Sequence, residues 1–353
     1  MTANDAAKLN RSRSTPHIRL LRWIRCATAA LLFLTAAVPD MATARNQPLQ
    51  LVSTAWSPFT NLPGEPRFAL DLVEEALDRI GIIAETIIVG EARLTPSLLS
   101  GTYDGSAALW KDAERERVLL YSEPYLENRL ILVGRRGSDV SATSLADLAG
   151  KRIALVAGYS YGEAVETADG PVIIDSHSLE DSVAKVVGGD VDYTLMDELV
   201  IQYLVTDHAD EARTRLAFGS MPLLTRSLHL AIQRSLPDAE SIISRFNAEL
   251  RGMLADRSYH RLLHLDWIRA DVDGDGLREY VPHDDRVGTR RPERSYELFA
   301  TGSATKEPDR TRRFYFGGDV YEGWSTVPNE YKGLDFTGPK PSRVTVRLFT
   351  FRF

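Results

Sequence analysis

Residues 94–125 read LTPSLLSGTYDGSAALWKDAERERVLLYSEPY. Leu94, Leu98 and Leu99 recur at helical spacing, which predicts an amphipathic helix. Gly101-Thr102-Tyr103-Asp104 is a turn signal, and Ser106 to Trp110 is a short apolar strand. The Arg-rich segment Lys111 to Arg117 then leads into Tyr121-Ser122-Glu123-Pro124-Tyr125. Helix, turn and strand in this order form the repeating unit of an α/β chain.

Outward from this stretch the alternation continues. Leu49 to Ala55 is a strand, Phe68 to Ile80 a helix stopped by Gly81, and Ala84 to Val89 a strand. Arg129 to Gly134 is a further strand, and a second unit begins near Gly137. It holds a short helix over Leu145–Gly150, a strand over Arg152–Val156, a glycine-bounded loop from Gly158, a strand over Pro171–Asp175, a helix over Ser178–Val187 and a strand from Val191 into Asp197. Ser227 to Gln233 is a strand, Pro237 to Leu254 a long amphipathic helix, and Tyr259 to Trp267 another helix. The division is therefore 45–135 with 222–270 as a discontinuous first lobe, and 136–221 as the second. Two lobes joined by two crossings imply a hinged cleft. Beyond it lie an acidic loop over 271–285 and an extension over 286–353, whose last ten residues alternate like a strand.

The chain has 353 residues, 44% hydrophobic and 26% charged, ordinary for a globular protein. Lys8, Arg11, Arg13, Arg19, Arg22 and Arg25 precede the Ala/Leu-rich run Ala27–Val38 and then Ala42-Thr43-Ala44, the pattern of a cleaved secretory signal over 1–44. Cys26 leaves with it, so the mature chain is expected to hold no disulfide. Without the six basic and two acidic residues of 1–44, 36 basic face 47 acidic residues, a formal −11. That balance argues against nucleic acid as a partner.

Six segments, in order, resemble the family 3 periplasmic solute-binding proteins, the amino-acid receptors of ABC importers. They are Trp56-Ser-Pro-Phe59, Phe68-x-x-Asp71-Leu-Val, Leu98-x-x-Gly101-x-Tyr-Asp104, Leu145-x-Asp-Leu-x-Gly-Lys151, Gly158 with Ser160, and Val187-Gly-Gly-Asp-Val-Asp192 followed by Asp197. The resemblance implies a type II periplasmic binding protein fold and a periplasmic monomer. It would capture an amino-acid-like or small carboxylate ligand for an inner-membrane ABC permease. It places Arg115 at the ligand carboxylate, with Ser160 beside it, and Asp197 at the ligand ammonium; Trp56, Phe59 and Trp110 become the cleft walls.

The physical reasons are plain. A carboxylate in a closed cleft needs a partner, and arginine offers an always-charged planar fork. A helix N-terminus near Ser160 suits an anion, and aromatic faces suit apolar or cationic groups. Each residue also has a plainer reading: Arg115 as one solvated charge among several, Ser160 and Asp197 as helix caps, the three aromatics as core. Where the family usually carries Ser or Thr after its Asp-Ala strand, this chain has Ala107, Ala108 and Trp110, which leaves only backbone groups for a ligand there.

In Asp271-Val-Asp273-Gly-Asp275-Gly276, alternating carboxylates, the Leu277 carbonyl and Glu279 match the first half of a calcium loop. Position twelve is Pro282 instead of glutamate, so a structural Ca²⁺ would need Glu279, Asp284 or Asp285 to complete its shell; a solvated acidic turn is the alternative. His208, His229, His260 and His264 show no metal-ligand spacing. Cyclohexadienyl dehydratases share the family's fold, so an exported lyase using Glu163 or Glu198 as acid/base is the second functional expectation. The first is a binding protein with no enzymatic activity.

Overall fold

The computed structural model describes residues 47–284, 296–297 and 313–332, apart from 167–169, 208–211, 213, 274 and 276. The export segment expected over 1–44 and the strand expected at the C-terminus lie outside the described residues. In chain order the first lobe contains β1 (Leu49–Thr54), α1 (Phe68–Arg79), β2 (Ala84–Val89), α2 (Glu91–Leu99), β3 (Gly105–Leu109) and β4 (Leu119–Tyr121). β5 (Leu126–Arg135) crosses to the second lobe, which holds β6 (Arg152–Val156), α3 (Glu163–Glu166), β7 (Val172–Ser176), α4 (Leu179–Gly188), β8 (Tyr193–Asp197) and α5 (Glu198–Asp207). β9 (Leu216–Gln233) returns, followed by α6 (Ala239–Ala255) and α7 (Ser258–Leu263).

The strands form one path, β2-β1-β3-β9-β5-β8-β6-β7, with β4 also paired to β9. β1 pairs in parallel with β2 and β3, and β6 with β7 and β8. Strands covered on both faces read as continuous apolar runs, and β1 and β3 are buried almost throughout. α1 turns Leu72, Val73, Ala76 and Leu77 into that core. α4 is bounded by its own sequence: the Ser178 hydroxyl accepts the Asp181 N–H at 3.2 Å, and Gly189 closes the helix at φ 83°.

β5 and β9 are the two crossings and run antiparallel, from Leu126 opposite Leu228 to Arg135 opposite Leu216. β9 begins eleven residues before the strand predicted at Ser227. Pairing persists through Pro222 because the register shifts on either side of Ile131, the residue opposite it. A bulge is where a strand tolerates a residue that cannot donate. Where β9 meets β3 the backbones approach closely. A Cβ on Gly105 would meet the Ala231 carbonyl oxygen at 2.1 Å.

The helix predicted to reach Trp267 stops at Leu263. His264 adopts a left-handed conformation (φ 54°), and the Leu265 N–H turns back to the His260 carbonyl at 3.1 Å. Trp267 instead opens β10 (Trp267–Ala270), part of a separate five-stranded sheet. Its other strands are β11 (Glu279–Pro282), β12 (Tyr296–Glu297), β13 (Phe314–Phe316) and β14 (Asp319–Tyr321), and α8 (Asn329–Lys332) follows. Phe314, Phe316 and Val327 are its buried centre, ringed by Trp267, Tyr280, Trp324 and Tyr331. Among the described residues no helix is long and apolar enough to cross a membrane.

Candidate ligand-binding cleft

One cleft, about 400 Å³ and partly open to solvent, is lined by residues of both lobes. Ser53, Thr54, Trp56, Thr60, Leu94, Ala108, Leu109, Trp110 and Arg115 come from the first lobe, Gly158, Tyr159 and Ser160 from the second, and Leu228 from β9. Four residues expected at the site, Trp56, Trp110, Arg115 and Ser160, are thus brought together. Phe59 and Asp197 are not among the lining residues.

Arg115 owes its position to Asp112. The Asp112 carboxylate accepts the backbone N–H groups of Glu114 (2.9 Å) and Arg115 (3.1 Å), which winds residues 115–117 into a single 3₁₀ turn. That turn sends Arg115 inward, 3% exposed, while Arg117 stays exposed. Arg115 Nη2 donates to the Trp110 carbonyl at 3.0 Å and to the Ser160 hydroxyl; Nη1 reaches Thr95 Oγ1 at 3.5 Å. Its Nε is buried with no hydrogen-bond partner. Ser160 in turn donates to Asp112 Oδ2 at 3.0 Å. Burial would raise the Asp112 carboxyl, but the N–H and charge of Arg115 and the Ser160 hydroxyl hold it below the ordinary range. The carboxylate thus serves as a fixed counter-charge to the guanidinium.

Ser160 stands in the loop between Gly158 (φ 85°) and Gly162 (φ 96°). A Cβ on Gly162 would meet Arg226 Nη1 at 2.6 Å, so the glycine admits that side chain. Arg226 lies 5.9 Å from the Trp110 ring and donates to the Lys111 carbonyl at 2.6 Å.

The aromatic wall crosses between lobes. Trp56, Trp110 and Tyr159 meet edge to face, with centroids 5.5 to 5.9 Å apart, and Tyr161 extends the group. Phe59 packs behind Trp56 at 4.5 Å and is fully buried. Its place fits the core reading: its carbonyl accepts the Ala69 and Leu70 N–H groups at 2.9 and 3.4 Å, which ties it to the first turn of α1. The Tyr159 hydroxyl donates to Glu91 Oε1 at 3.4 Å, and burial, against hydrogen bonds from Thr54 and Tyr159, pushes the Glu91 carboxyl up to about 7.

Asp197 is 2% exposed at the end of β8. Its Oδ1 accepts the Leu199 N–H at 2.7 Å, a capping contact for α5, and its Oδ2 accepts the Asn128 side-chain amide at 3.0 Å. Asn128 Oδ1 accepts the Trp110 indole N–H at 2.8 Å. Burial pushes the Asp197 carboxyl up to about 7 despite these donors. Asn128, Asp112, Tyr159 and Glu91 were not singled out by sequence reasoning. Asn128 did carry a signal: it shares the buried face of β5 with Leu126 and Leu130, and a buried amide needs partners.

Glu163 and Glu198, the candidate acid/base residues, do not line the cleft. Glu163 is exposed, and Glu198 pairs with Arg129 at 3.1 Å.

In the acidic loop, Asp271, Asp273 and Asp275 bring carboxylate oxygens within 4.8 Å of one another. A cationic side chain also reaches this cluster. Arg313 contacts Asp275 at 2.7 Å, Glu279 at 2.9 Å and Asp273 at 3.1 Å. Glu279 is fully buried, its second oxygen accepting the Val272 N–H at 3.1 Å. Leu277 is exposed, and its N–H donates to Asp275.

A two-lobed α/β chain with a shared pair of crossing strands and a buried guanidinium facing the cleft defines the class of type II periplasmic binding proteins. The chain belongs to the bacterial extracellular solute-binding proteins, family 3, whose sequence profile matches residues 52–269. Among solved structures, an ancestral arginine-binding protein bound to arginine has a TM-score of 0.53 at 21% identity, covering 63% of this chain and 98% of that one. An arginine transport-system periplasmic binding protein from Legionella pneumophila has a TM-score of 0.52 at 20% identity, covering 62% and 98%. A histidine kinase sensor domain with similarity to periplasmic binding proteins has a TM-score of 0.53 at 16% identity, covering 63% and 96%. These likenesses establish the fold. Comparison with the curated proteins found no match.

Proposed function

We propose that this chain is the exported, periplasmic receptor of an ABC importer, a binding protein without enzymatic activity that closes on a small carboxylate or amino-acid-like ligand. The observation that carries the reading is Arg115: a guanidinium 3% exposed, on the cleft wall, with a buried Nε that makes no hydrogen bond. A ligand carboxylate supplies the acceptor that such a group lacks. Ser160 and the Gly158–Tyr159 backbone frame the same anion, and Trp56, Trp110 and Tyr159 wall the rest of the ligand. Glu91 and Tyr159 join the lobes as the cleft shuts.

The test is a thermal-shift screen of amino acids and carboxylates, repeated with Arg115→Ala. A stabilising carboxylate is expected to lose about 30-fold or more in affinity on that substitution, as for a buried charge pair deprived of one partner. Unchanged affinity would refute the role of Arg115.

For the acidic loop we propose a structural role in which Arg313 supplies the positive charge expected of calcium. Calcium would have to compete with that guanidinium for Asp273 and Asp275.

A further inference from the structure

The charges around the cleft narrow the ligand class further, an inference that rests on Arg115 as the carboxylate site. A carboxylate carrying an α-ammonium would bring a second positive charge close to the guanidinium. That ammonium would need an anionic acceptor, since an unpaired charge in a closed cleft is costly. Among the described residues lining the cleft, the only charged side chain is Arg115. The charge over the Trp110 ring is a second cation, Arg226.

Among the described residues, the carboxyl groups of Asp112, Glu91 and Asp197 touch lining residues directly or through one side chain, and each accepts hydrogen bonds from the protein. Asp112 accepts two backbone N–H groups and the Ser160 hydroxyl. Glu91 accepts the Tyr159 hydroxyl. Asp197, which the family resemblance would give to the ammonium, is sealed by Asn128 and the Leu199 N–H.

The seal has a fixed sense. An indole N–H can only donate, so Trp110 holds the Asn128 carbonyl oxygen toward itself and leaves the amide N–H₂ for Asp197. Asn128 thereby does inside the protein what a ligand ammonium would otherwise do. Trp110, lining the cleft, stands between the ligand and that pair.

We propose that the cleft selects carboxylates without an α-ammonium, and that Asn128, acting through Trp110 and Asp197, is a specificity-determining residue. The experiment is calorimetry on the full mature chain with matched pairs: 3-phenylpropionate and L-phenylalanine, 4-methylpentanoate and L-leucine, glutarate and L-glutamate, 5-guanidinopentanoate and L-arginine. In every pair that binds, the member lacking the α-ammonium is expected to bind at least about tenfold tighter, a difference of about 1.4 kcal/mol. Equal or tighter binding of the amino acid overturns this inference and leaves the carboxylate role of Arg115 standing. No binding by any probe at about 10 mM, weaker than any specific receptor affinity, overturns both. Asn128→Ala, which frees one oxygen of Asp197, is expected to narrow the preference. A preference unchanged in a variant that folds removes Asn128 from the account, and the wild-type pairs decide the ligand class even where the variant does not fold.

Discussion

Glu91 ties the first lobe to Tyr159 of the second, and its ionisation carries a stability cost with a definite sign. Its folded pKa of about 7 lies above the ordinary value of 4.5, with burial the largest cause. Between those values the folded chain holds a proton that the unfolded chain releases. Its contribution is therefore full below about 4.5, falls as pH rises toward 7, and is constant above. Asp197 acts in the same sense, and buried His229 and His260, both lowered to about 4, act in the opposite one as pH falls from 6.5. Glu91→Gln keeps a neutral acceptor for Tyr159 and removes one titration. The difference in Tm, variant minus wild type, should grow between pH 5 and pH 7 and then level; a difference constant across that range would exclude Glu91 as the titrating group. At this scale the sequence was only half legible. The family resemblance pointed to Arg115, and a 3₁₀ turn started by Asp112 turns this arginine inward while Arg117 stays exposed. The fate of Asp197 was not legible, since it depends on Asn128, brought beside it by the pairing of β5 with β8, and on Trp110, which follows β3 and bonds Asn128.

At the scale of elements, close backbone approach decides what β3 tolerates. Gly105 faces the Ala231 carbonyl across the β3–β9 pairing, and a methyl group there would lie 2.1 Å from that oxygen. Gly105→Ala must push the strands apart, and overpacking of this kind costs about 2 kcal/mol or more. Urea unfolding should show the midpoint lowered with its slope retained; an unshifted midpoint would mean the strands are not in register as described. The elements of both lobes were largely legible because apolar periodicity is strong in covered α/β strands and amphipathic helices. β2 and β6 have the predicted limits. β9 was not legible before Ser227, because pairing with β5 extends the strand back to Leu216. α7 was overestimated because Leu265 and Trp267 continue an apolar rhythm after His264 has already ended the helix.

For the whole molecule, the C-terminal sheet is joined to the acidic loop through Arg313. Removing that guanidinium leaves Glu279, which has no solvent exposure, without its counter-charge, and breaking such a pair on one side is destabilising. Arg313→Gln should lower the Tm, with cleavage by added protease appearing first within residues 313–332. It also frees the Asp273 and Asp275 oxygens that Arg313 holds. Calcium at millimolar concentration is therefore expected to raise the Tm of the variant more than that of wild type. A larger calcium response in wild type would mean that Arg313 is not the occupant of the loop. The alternating aspartates pointed to calcium, and the approach of Arg313 to the same carboxylates was not legible, because it stands just before β13, some forty residues later.

β9 also constrains the order of assembly. β3 pairs with β1 on one side, but its partner on the other side, which β4 shares, is His229–Gln233, made after every strand of the second lobe. A chain growing from its N-terminus therefore carries an unfinished first sheet, with the β3 edge bare, until β9 arrives, whereas β5 to β8 are all present earlier. The second lobe is free to form first, and a chain truncated before β9 would leave the first lobe as an open edge.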